Sequence, residues 1–184
     1  LTRVVRDIPS TEIVAGNLKT NFREEIEKEL KLENKIMSDI RAREINKRDF
    51  DLSKIKLKKV KYQTNVSNEI FLQYIIPSQE KYLRNRILGF LRLSLPIINN
   101  WQEELENSAI IREIHVYGSA LPIGKESKQS PQHLGLGKKL IKQAENISKK
   151  EDYQKLAVIS AVGTRKYYQK RGFDLKKLYQ IKEI

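Results

Sequence analysis

The first regular pattern of apolar and polar positions along the chain is helical. Residues 18–34 carry apolar side chains at a spacing of four among Glu and Lys: Leu18, Phe22, Ile26 and Leu30. Side chains four apart lie on the same face of a helix, so this spacing predicts an amphipathic helix. The preceding residues mix Pro, Ser, Thr and Gly and predict irregular structure with one short helical piece.

From Ile55 onward the period changes from helical to strand-like. Apolar and charged residues alternate from Ile55 to Thr64, with a shift of one position near Val60, which predicts a strand with a bulge. Three further apolar segments, at 69–76, 86–95 and 109–118, predict three more strands. Proline follows the first two of these segments directly, and it cannot continue a sheet ladder.

The last third alternates between helix and strand patterns. After a long polar loop, Gly135 and Gly137 introduce a predicted helix, and residues 156–162 form a continuous apolar run that predicts a strand buried on both faces. The apolar stripe of that helix consists of Leu136, Leu140, Ile141, Ala144 and Ile147. A short helix is expected from Thr164 to Lys170, and a last strand after Gly172. Hairpin-like strands followed by β-α-β-α-β predict a mixed α/β or α+β sheet.

The net charge of the chain predicts that it binds an anionic partner. Among 184 residues, 36 Lys and Arg against 23 Asp and Glu give a formal net charge of +13. Residues 121–184 hold 15 basic and 6 acidic side chains, so most of the excess lies there. Such an excess favours an anionic partner, either nucleic acid or a phosphorylated cofactor. The alternative is an ordinary lysine-rich surface exposed to solvent.

Composition excludes several kinds of chemistry. The chain has no cysteine, which excludes disulfides, thiolate zinc sites, iron–sulfur clusters and cysteine nucleophiles within it, and its two histidines lead us to expect no metal site. No apolar run approaches the length of a membrane span, no signal peptide is recognisable, and a cytoplasmic location is expected. Because the chain begins at Leu1, we expect it to be a piece of a longer protein.

One short motif has the composition of a phosphate-binding loop. Gln132, Gly135 and Gly137 form a Gln-x-x-Gly-x-Gly string directly before a predicted helix, and Lys138 and Lys139 follow. Glycines let a backbone approach a phosphate closely, and a helix N-terminus offers unpaired N–H groups. The string lacks the third glycine of a dinucleotide fingerprint and the longer loop of a P-loop. Glycines before a helix are more often turn residues than part of a functional loop, and Gln132 could equally cap the loop backbone.

The order of these elements resembles the GNAT acyl-CoA-dependent N-acetyltransferase fold. Two longer strings sharpen the resemblance: residues 113–119, Glu-Ile-His-Val-Tyr-Gly-Ser, and residues 158–168, Val-Ile-Ser-Ala-Val-Gly-Thr-Arg-Lys-Tyr-Tyr. Both resemble the C-terminal acetyltransferase domain of the catalytic subunit of Elongator, a family that modifies the wobble uridine of tRNA. Residues 6–9 and 16–18 resemble the segment that joins this domain to the family's radical-SAM domain.

The resemblance implies a domain plan and a function. It implies a linker and amphipathic helix at 1–37, forming a helical arm, and a GNAT acetyltransferase domain at 38–184 with a mixed central sheet flanked by helices. The implied activity is an acetyltransferase that supplies the acetyl group of acetyl-CoA for wobble-uridine modification, reduced to tRNA-stimulated acetyl-CoA hydrolysis in isolation. The implied partners are tRNA, a radical-SAM domain and other Elongator subunits.

The resemblance also implies the residues of the cofactor site. Acetyl-CoA is expected against the fourth strand, the glycine loop with the helix that follows, and the second of two adjacent tyrosines: Glu113, Ile114, His115, Val116, Gln132, Gly135, Leu136, Gly137, Lys138, Lys139 and Tyr168. Tyr168 is the expected proton donor to the leaving thiolate. His115 is expected to bind or shape the site, with proton transfer as the alternative. Tyr167 is expected to pack.

The chain departs from the family in two places. Family members bind zinc with cysteines in a segment resembling residues 37–45, where this chain has Met37, Asp39 and Ala42. S-adenosylmethionine and a 4Fe-4S cluster are expected only in a longer parent chain. Two other functions remain open from the sequence: a general GNAT enzyme acting on a protein lysine or a small amine, and a non-catalytic RNA-binding module.

Overall fold

The elements of the protein follow one another in the order that the sequence pattern predicts. The computed structural model describes residues 9–16, 18–19, 21–45, 50–98, 102–117 and 134–184. The helices longer than one 3-10 turn are α1 (Phe22–Leu32), α2 (Leu136–Lys150) and α3 (Arg165–Gln169). The strands are β1 (Lys56–Gln63), β2 (Ser67–Pro77), β3 (Asn85–Pro96), β4 (Ser108–Val116), β5 (Lys155–Val158), β6 (Asp174–Leu175) and β7 (Gln180–Glu183).

The strands form a single mixed sheet of seven in the order β1-β2-β3-β4-β5-β7-β6. Strands β1 to β4 are antiparallel neighbours, as expected when short turns connect consecutive strands. Strands β4 and β5 are parallel, and α2 lies in the crossover between them. The expected mixed sheet with flanking helices is confirmed.

The main core lies between the sheet and α2. Its fully buried members come from four strands and the helix: Leu72, Leu91, Leu93, Ile111, Leu140 and Leu156. The predicted stripe of α2 supplies the helical side of this core, where Leu140, Ile141 and Ala144 are all buried. The amphipathic pattern of α2 therefore predicts correctly which face meets the sheet.

Three details differ from the sequence prediction. β1 pairs with β2 without a bulge, because the edge strand β1 is exposed along most of its length and no buried face fixes its pattern. The strand predicted at 156–162 ends at Val158, and Ile159 and Val162 are 61% and 75% exposed. The last strand is divided into β6 and β7, which pair with each other.

The helix predicted over 18–34 forms as α1, but it does not bury its apolar stripe. Leu18 and Phe22 are 59% and 38% exposed, whereas Arg23 is 8% exposed. The Arg23 guanidinium lies 2.8 Å from the Asp39 carboxylate and 2.7 Å from that of Glu27. Arg23 shares its helical face with Ile26 and Leu30, which are half-buried, so its ion pair with Asp39 adds to the packing of this face.

Hydrogen bonds hold residues 37–45 against the sheet. The Asp39 carboxylate accepts a hydrogen bond from the backbone N–H of Ala42 at 3.0 Å. Nη1 of Arg86 donates to the carbonyl oxygens of Ala42 and Glu44 at 3.3 and 2.9 Å. Burial lowers the pKa of Arg43, whose guanidinium donates to Gln73 at 2.6 Å.

Two absences hold for the described ranges. Within residues 9–16, 18–19, 21–45, 50–98, 102–117 and 134–184, no helix is long and apolar enough to cross a membrane. In the same ranges, no three His, Asp or Glu side chains come together in a group that could hold a metal ion.

Replacing a fully buried leucine should test the core directly. We expect Leu156→Ala, at a side chain with 0% exposure, to lower the free energy of unfolding by about 2–5 kcal/mol, because it leaves a cavity. Leu178→Ala is the matched control, since Leu178 is 62% exposed, and its effect should stay within about 0.5 kcal/mol. Urea denaturation measures both, and equal losses would contradict this assignment of the core.

Candidate functional site

Strands β4 and β5 separate part of the way along the sheet. They pair in parallel from Ser108 with Lys155 to Ile111 with Val158, where β5 ends. β4 continues to Val116 while still paired with β3 on its other edge. Among the described residues, no strand occupies the β5 side of residues 112–116. The sheet therefore opens into a gap that exposes backbone N–H and C=O groups of β4.

A bulge marks the point where the strands separate. In the β3–β4 ladder, Leu93 pairs with Ile111 and Arg92 pairs with Glu113, so Arg112 is the extra residue. An extra residue bends a strand and increases its twist. Because the bend follows directly on the last pair with β5, the outer half of β4 is directed away from its parallel neighbour.

The four residues expected on β4 all lie along this gap. Ile114 packs against the main core, and Val116 packs against a second cluster that includes Leu136 of α2. Glu113 lies 3.5 Å from Arg92, and the exposed His115 ring is 4.5 Å from that of Tyr117. The predicted alternation is therefore present, with Ile114 and Val116 on the helix side and His115 on the opposite side.

The two expected catalytic side chains lie on different sides of the sheet. Tyr168 is 5% exposed and belongs to the cluster that packs against α2. His115 is exposed on the other face, where its ring stacks 6.1 Å from that of Phe90. The structure thus brings Tyr168, and not His115, to the helix side of the gap.

The first turn of α2 faces the end of β4. Gly135 precedes the helix with φ of 64°, a left-handed conformation that favours glycine, and no side chain caps the first turn within the described part of the protein. The first backbone hydrogen bond of this helix is donated by the N–H of Lys139 to the carbonyl oxygen of Gly135. The preceding amides are therefore available to an anion, which the helix dipole also favours.

Lys138 and Lys139 are exposed in this first turn, which contains no acidic residue. Cations at a helix N-terminus are unfavourable to the helix dipole, and they add positive charge beside the unpaired amides. The remaining residue of the motif, Gln132, lies outside the described residues.

At Gly137, a tyrosine hydroxyl occupies the space that a side chain would fill. A Cβ atom at Gly137 would lie 2.5 Å from the hydroxyl oxygen of Tyr167 and 3.6 Å from Cγ2 of Val116. Three elements therefore meet here: the end of β4, the start of α2 and α3. The guanidinium of Arg171 holds the tyrosine in place, because its central carbon lies 3.4 Å from the Tyr167 ring centroid.

Tyr167 also lies at this place. Sequence reasoning assigned it a packing role, and the structure places its ring between Arg171 and Gly137, where it is 36% exposed while Tyr168 is buried. Periodicity cannot distinguish the two, because α3 has only five residues and its buried side depends on the later residue Phe173. The glycine at position 137 is the only sequence signal that something bulky lies nearby.

The Tyr168 side chain is buried among aromatic rings. Its ring lies edge-on to those of Tyr167 and Phe173, with centroids 5.3 and 5.7 Å away. Burial raises the pKa of Tyr168 to about 12, so its phenol is neutral at physiological pH.

The raised pKa of Tyr168 predicts a pH-dependent stability. Because the folded protein favours the neutral phenol, this contribution is fully present below pH 10 and is lost as the pH rises toward 12. Tyr168→Phe cannot ionise, so its free energy of unfolding should fall less steeply than that of the wild type over this interval. Urea denaturation between pH 8 and 12 measures both proteins, and identical slopes above pH 10 would contradict the assignment.

Comparison with known proteins agrees with the observed geometry. Residues 128–183 match the model of the acetyltransferase (GNAT) domain family. Elongator complex protein 3 of Danio rerio is 35% identical over 99% of this chain and 33% of its own length. The tRNA uridine(34) acetyltransferase of Methanocaldococcus jannaschii is 34% identical over 100% of this chain and 34% of its own length.

A solved structure is similar to this chain in both sequence and fold. The archaeal Methanocaldococcus infernus Elp3 with an N-terminal deletion superposes with a TM-score of 0.78 and 32% identity, over 99% of this chain and 43% of that one. The chain spans about a third of the length of the curated relatives it matches. The chain is therefore similar over its whole length to part of Elongator complex protein 3 and of the tRNA uridine(34) acetyltransferases, and it has the GNAT acetyltransferase fold.

Proposed function

We propose that this chain binds acetyl-CoA and supplies its acetyl group within a tRNA wobble-uridine modifying enzyme. One observation carries the proposal: the gap between β4 and β5 opens toward the uncapped first turn of α2. In this proposal, residues 38–184 form the acetyltransferase domain and residues 1–37 form the linker and helical arm.

The residues around the gap fit the two ends of the cofactor. The free edge of residues 113–116 offers backbone groups that can pair with the pantetheine amides, as an added strand would. The amides of Leu136 and Gly137, with Lys138 and Lys139, provide donors and positive charge for the pyrophosphate. Gln132 is proposed as a further contact in the same loop.

The chemistry requires a proton donor near the sulfur. Acetyl-CoA supplies a thioester; in hydrolysis the oxygen of water bonds to the acetyl carbon, the carbon–sulfur bond breaks, and acetate and the CoA thiol result. Tyr168 is the proposed donor to the departing sulfur, because its phenol is neutral at physiological pH and its ring lies on the helix side of the gap. His115 is proposed to shape the opposite side of the gap, because its ring lies on that face.

Exposed cations around the site support tRNA as the partner. Lys138, Lys139, Lys166 and Lys170 are exposed on α2 and α3, and none of them pairs with a carboxylate in the described ranges. Unpaired cations of this kind bind phosphates by releasing condensed counterions. The M. jannaschii relative is named for tRNA uridine, which agrees with this proposal.

The complete reaction requires more than this chain. We assign S-adenosylmethionine and a 4Fe-4S cluster to a separate radical-SAM domain, since this chain has no cysteine to hold the cluster. That domain and other Elongator subunits are the proposed protein partners.

Release of CoA with and without tRNA tests the activity. We expect the isolated chain to release CoA from acetyl-CoA faster when tRNA is present, and Tyr168→Phe to slow this release about a hundredfold by removing the proton donor. Tyr62→Phe, at a 46% exposed tyrosine, is the matched control.

Other outcomes of that assay separate the alternatives. Transfer of the acetyl group to a lysine peptide or a small amine, without any effect of tRNA, would identify a general acetyltransferase. Binding of tRNA without any binding or release of CoA would identify an RNA-binding module. Either outcome contradicts the proposed function.

Adding one methyl group at the glycine loop tests the binding site. Gly137→Ala should displace the Tyr167 hydroxyl and weaken CoA binding about tenfold, which corresponds to the loss of one charge-assisted hydrogen bond. Stability should be unchanged or higher, since alanine suits a helix better than glycine by about 0.5–1 kcal/mol. Gly163→Ala is the control, because nothing lies within 4 Å of its Cβ position. Calorimetry measures the affinities, and equal values for the two variants would contradict this site.

A further inference from the structure

A buried glutamine beside the gap forms a hydrogen bond that the proposed function does not use. Gln180 of β7 is 1% exposed and pairs across the sheet with Val158, the last residue of β5. Its Nε2 donates to Oγ of Ser160 at 2.6 Å. This contact joins the interior of the sheet to the segment that follows β5.

The direction of this bond leaves the serine proton available. An amide nitrogen only donates, so the Ser160 hydroxyl acts as the acceptor and its own proton is directed elsewhere. No described residue accepts that proton, since the Gln180 contact is the one hydrogen bond of the Ser160 side chain in the described ranges.

The opposite orientation of the amide is less favourable. In the observed orientation, Oε1 of Gln180 is buried and has no hydrogen-bond partner within the described part of the chain. Reversal of the amide would leave the buried N–H group without a partner instead. Unpaired buried N–H groups are rarer in proteins than under-satisfied carbonyl oxygens, so the observed orientation is preferred.

Ser160 stands where the gap begins. It follows two residues after Val158, beyond which β4 and β5 no longer pair. The turn Val162–Thr164 comes next, and it leads directly into α3 with Tyr167 and Tyr168. Ser160 and the proposed proton donor Tyr168 therefore lie at either end of one short connection beside the same opening.

We propose that Ser160 donates a hydrogen bond to the carbonyl oxygen of the acyl thioester, and that Gln180 is the positioning residue that holds its hydroxyl. This inference rests on the proposed binding of acetyl-CoA. A donor at that oxygen stabilises the negative charge that develops when the acetyl carbon is attacked. The buried amide fixes the donor before the ligand arrives, because its own position is set by the β5–β7 ladder.

Infrared difference spectroscopy of bound acetyl-CoA, labelled with carbon-13 at the carbonyl, tests the hydrogen bond without relying on turnover. In the wild-type chain without tRNA, the carbonyl stretch should move to lower frequency on binding. Ser160→Ala should abolish this displacement, and Ser160→Thr should retain it because the hydroxyl is kept. Gln180→Met, which keeps the length of the side chain but removes the donor, should reduce the displacement.

Binding of CoA itself separates this inference from the proposed function. CoA lacks the acetyl carbonyl, so Ser160→Ala should bind it with unchanged affinity while its acetyl-CoA hydrolysis falls about a hundredfold. An equal carbonyl displacement in wild type and Ser160→Ala, both with CoA bound normally, would overturn the role of Ser160 alone. A wild-type chain that binds neither CoA nor acetyl-CoA would overturn the proposed function and this inference with it.

Discussion

The parallel contact between β4 and β5 is the constraint on which the rest of the structure depends. It comprises four residue pairs, and it ends where Arg112 is inserted into β4 as a bulge. A longer ladder would close the sheet and leave no free backbone edge. A shorter ladder would weaken the connection between the two halves of the sheet, since among the described residues β5, β6 and β7 pair with the other strands through it. A ladder of this length keeps the core continuous and still leaves the outer part of β4 unpaired on one edge.

Close packing around α2 places polar groups beside the unpaired edge of β4. The helix is anchored by Leu140, Ile141 and Ala144, so its first turn is fixed opposite the end of β4. Gly137 admits the Tyr167 hydroxyl, and Arg171 restrains the ring. On the far side, an ion pair between Glu145 and Lys182 at 2.7 Å ties α2 to β7. The helix is therefore held near its first turn and again at Glu145, which keeps the amides of its first turn in place.

Most helices and strands can be predicted from the sequence, but their ends and their buried faces are predicted less well. Strands β2 and β3 and helix α2 are predicted closely, because each has one face that must be buried and a period that shows it. The apolar run at 156–162 is misleading, because Ile159 and Val162 are apolar yet exposed beyond the end of β5. The stripe of α1 is only partly informative, because Ile26 and Leu30 are half-buried whereas Phe22 is exposed, and the buried Arg23 forms its ion pair with a carboxylate 16 positions away.

The sequence by itself determined the order of elements, the family resemblance, and the glycine loop that precedes α2, because these depend on local periodicity and on contiguous motifs. Only the tertiary structure decided that β4 and β5 separate after Ile111, and that His115 and Tyr168 lie on opposite faces. It also decided that Gln180 holds Ser160. The physical reason is that these features arise from contacts between distant segments: the pairing of two strands, the packing of a five-residue helix, and a hydrogen bond between residues twenty positions apart.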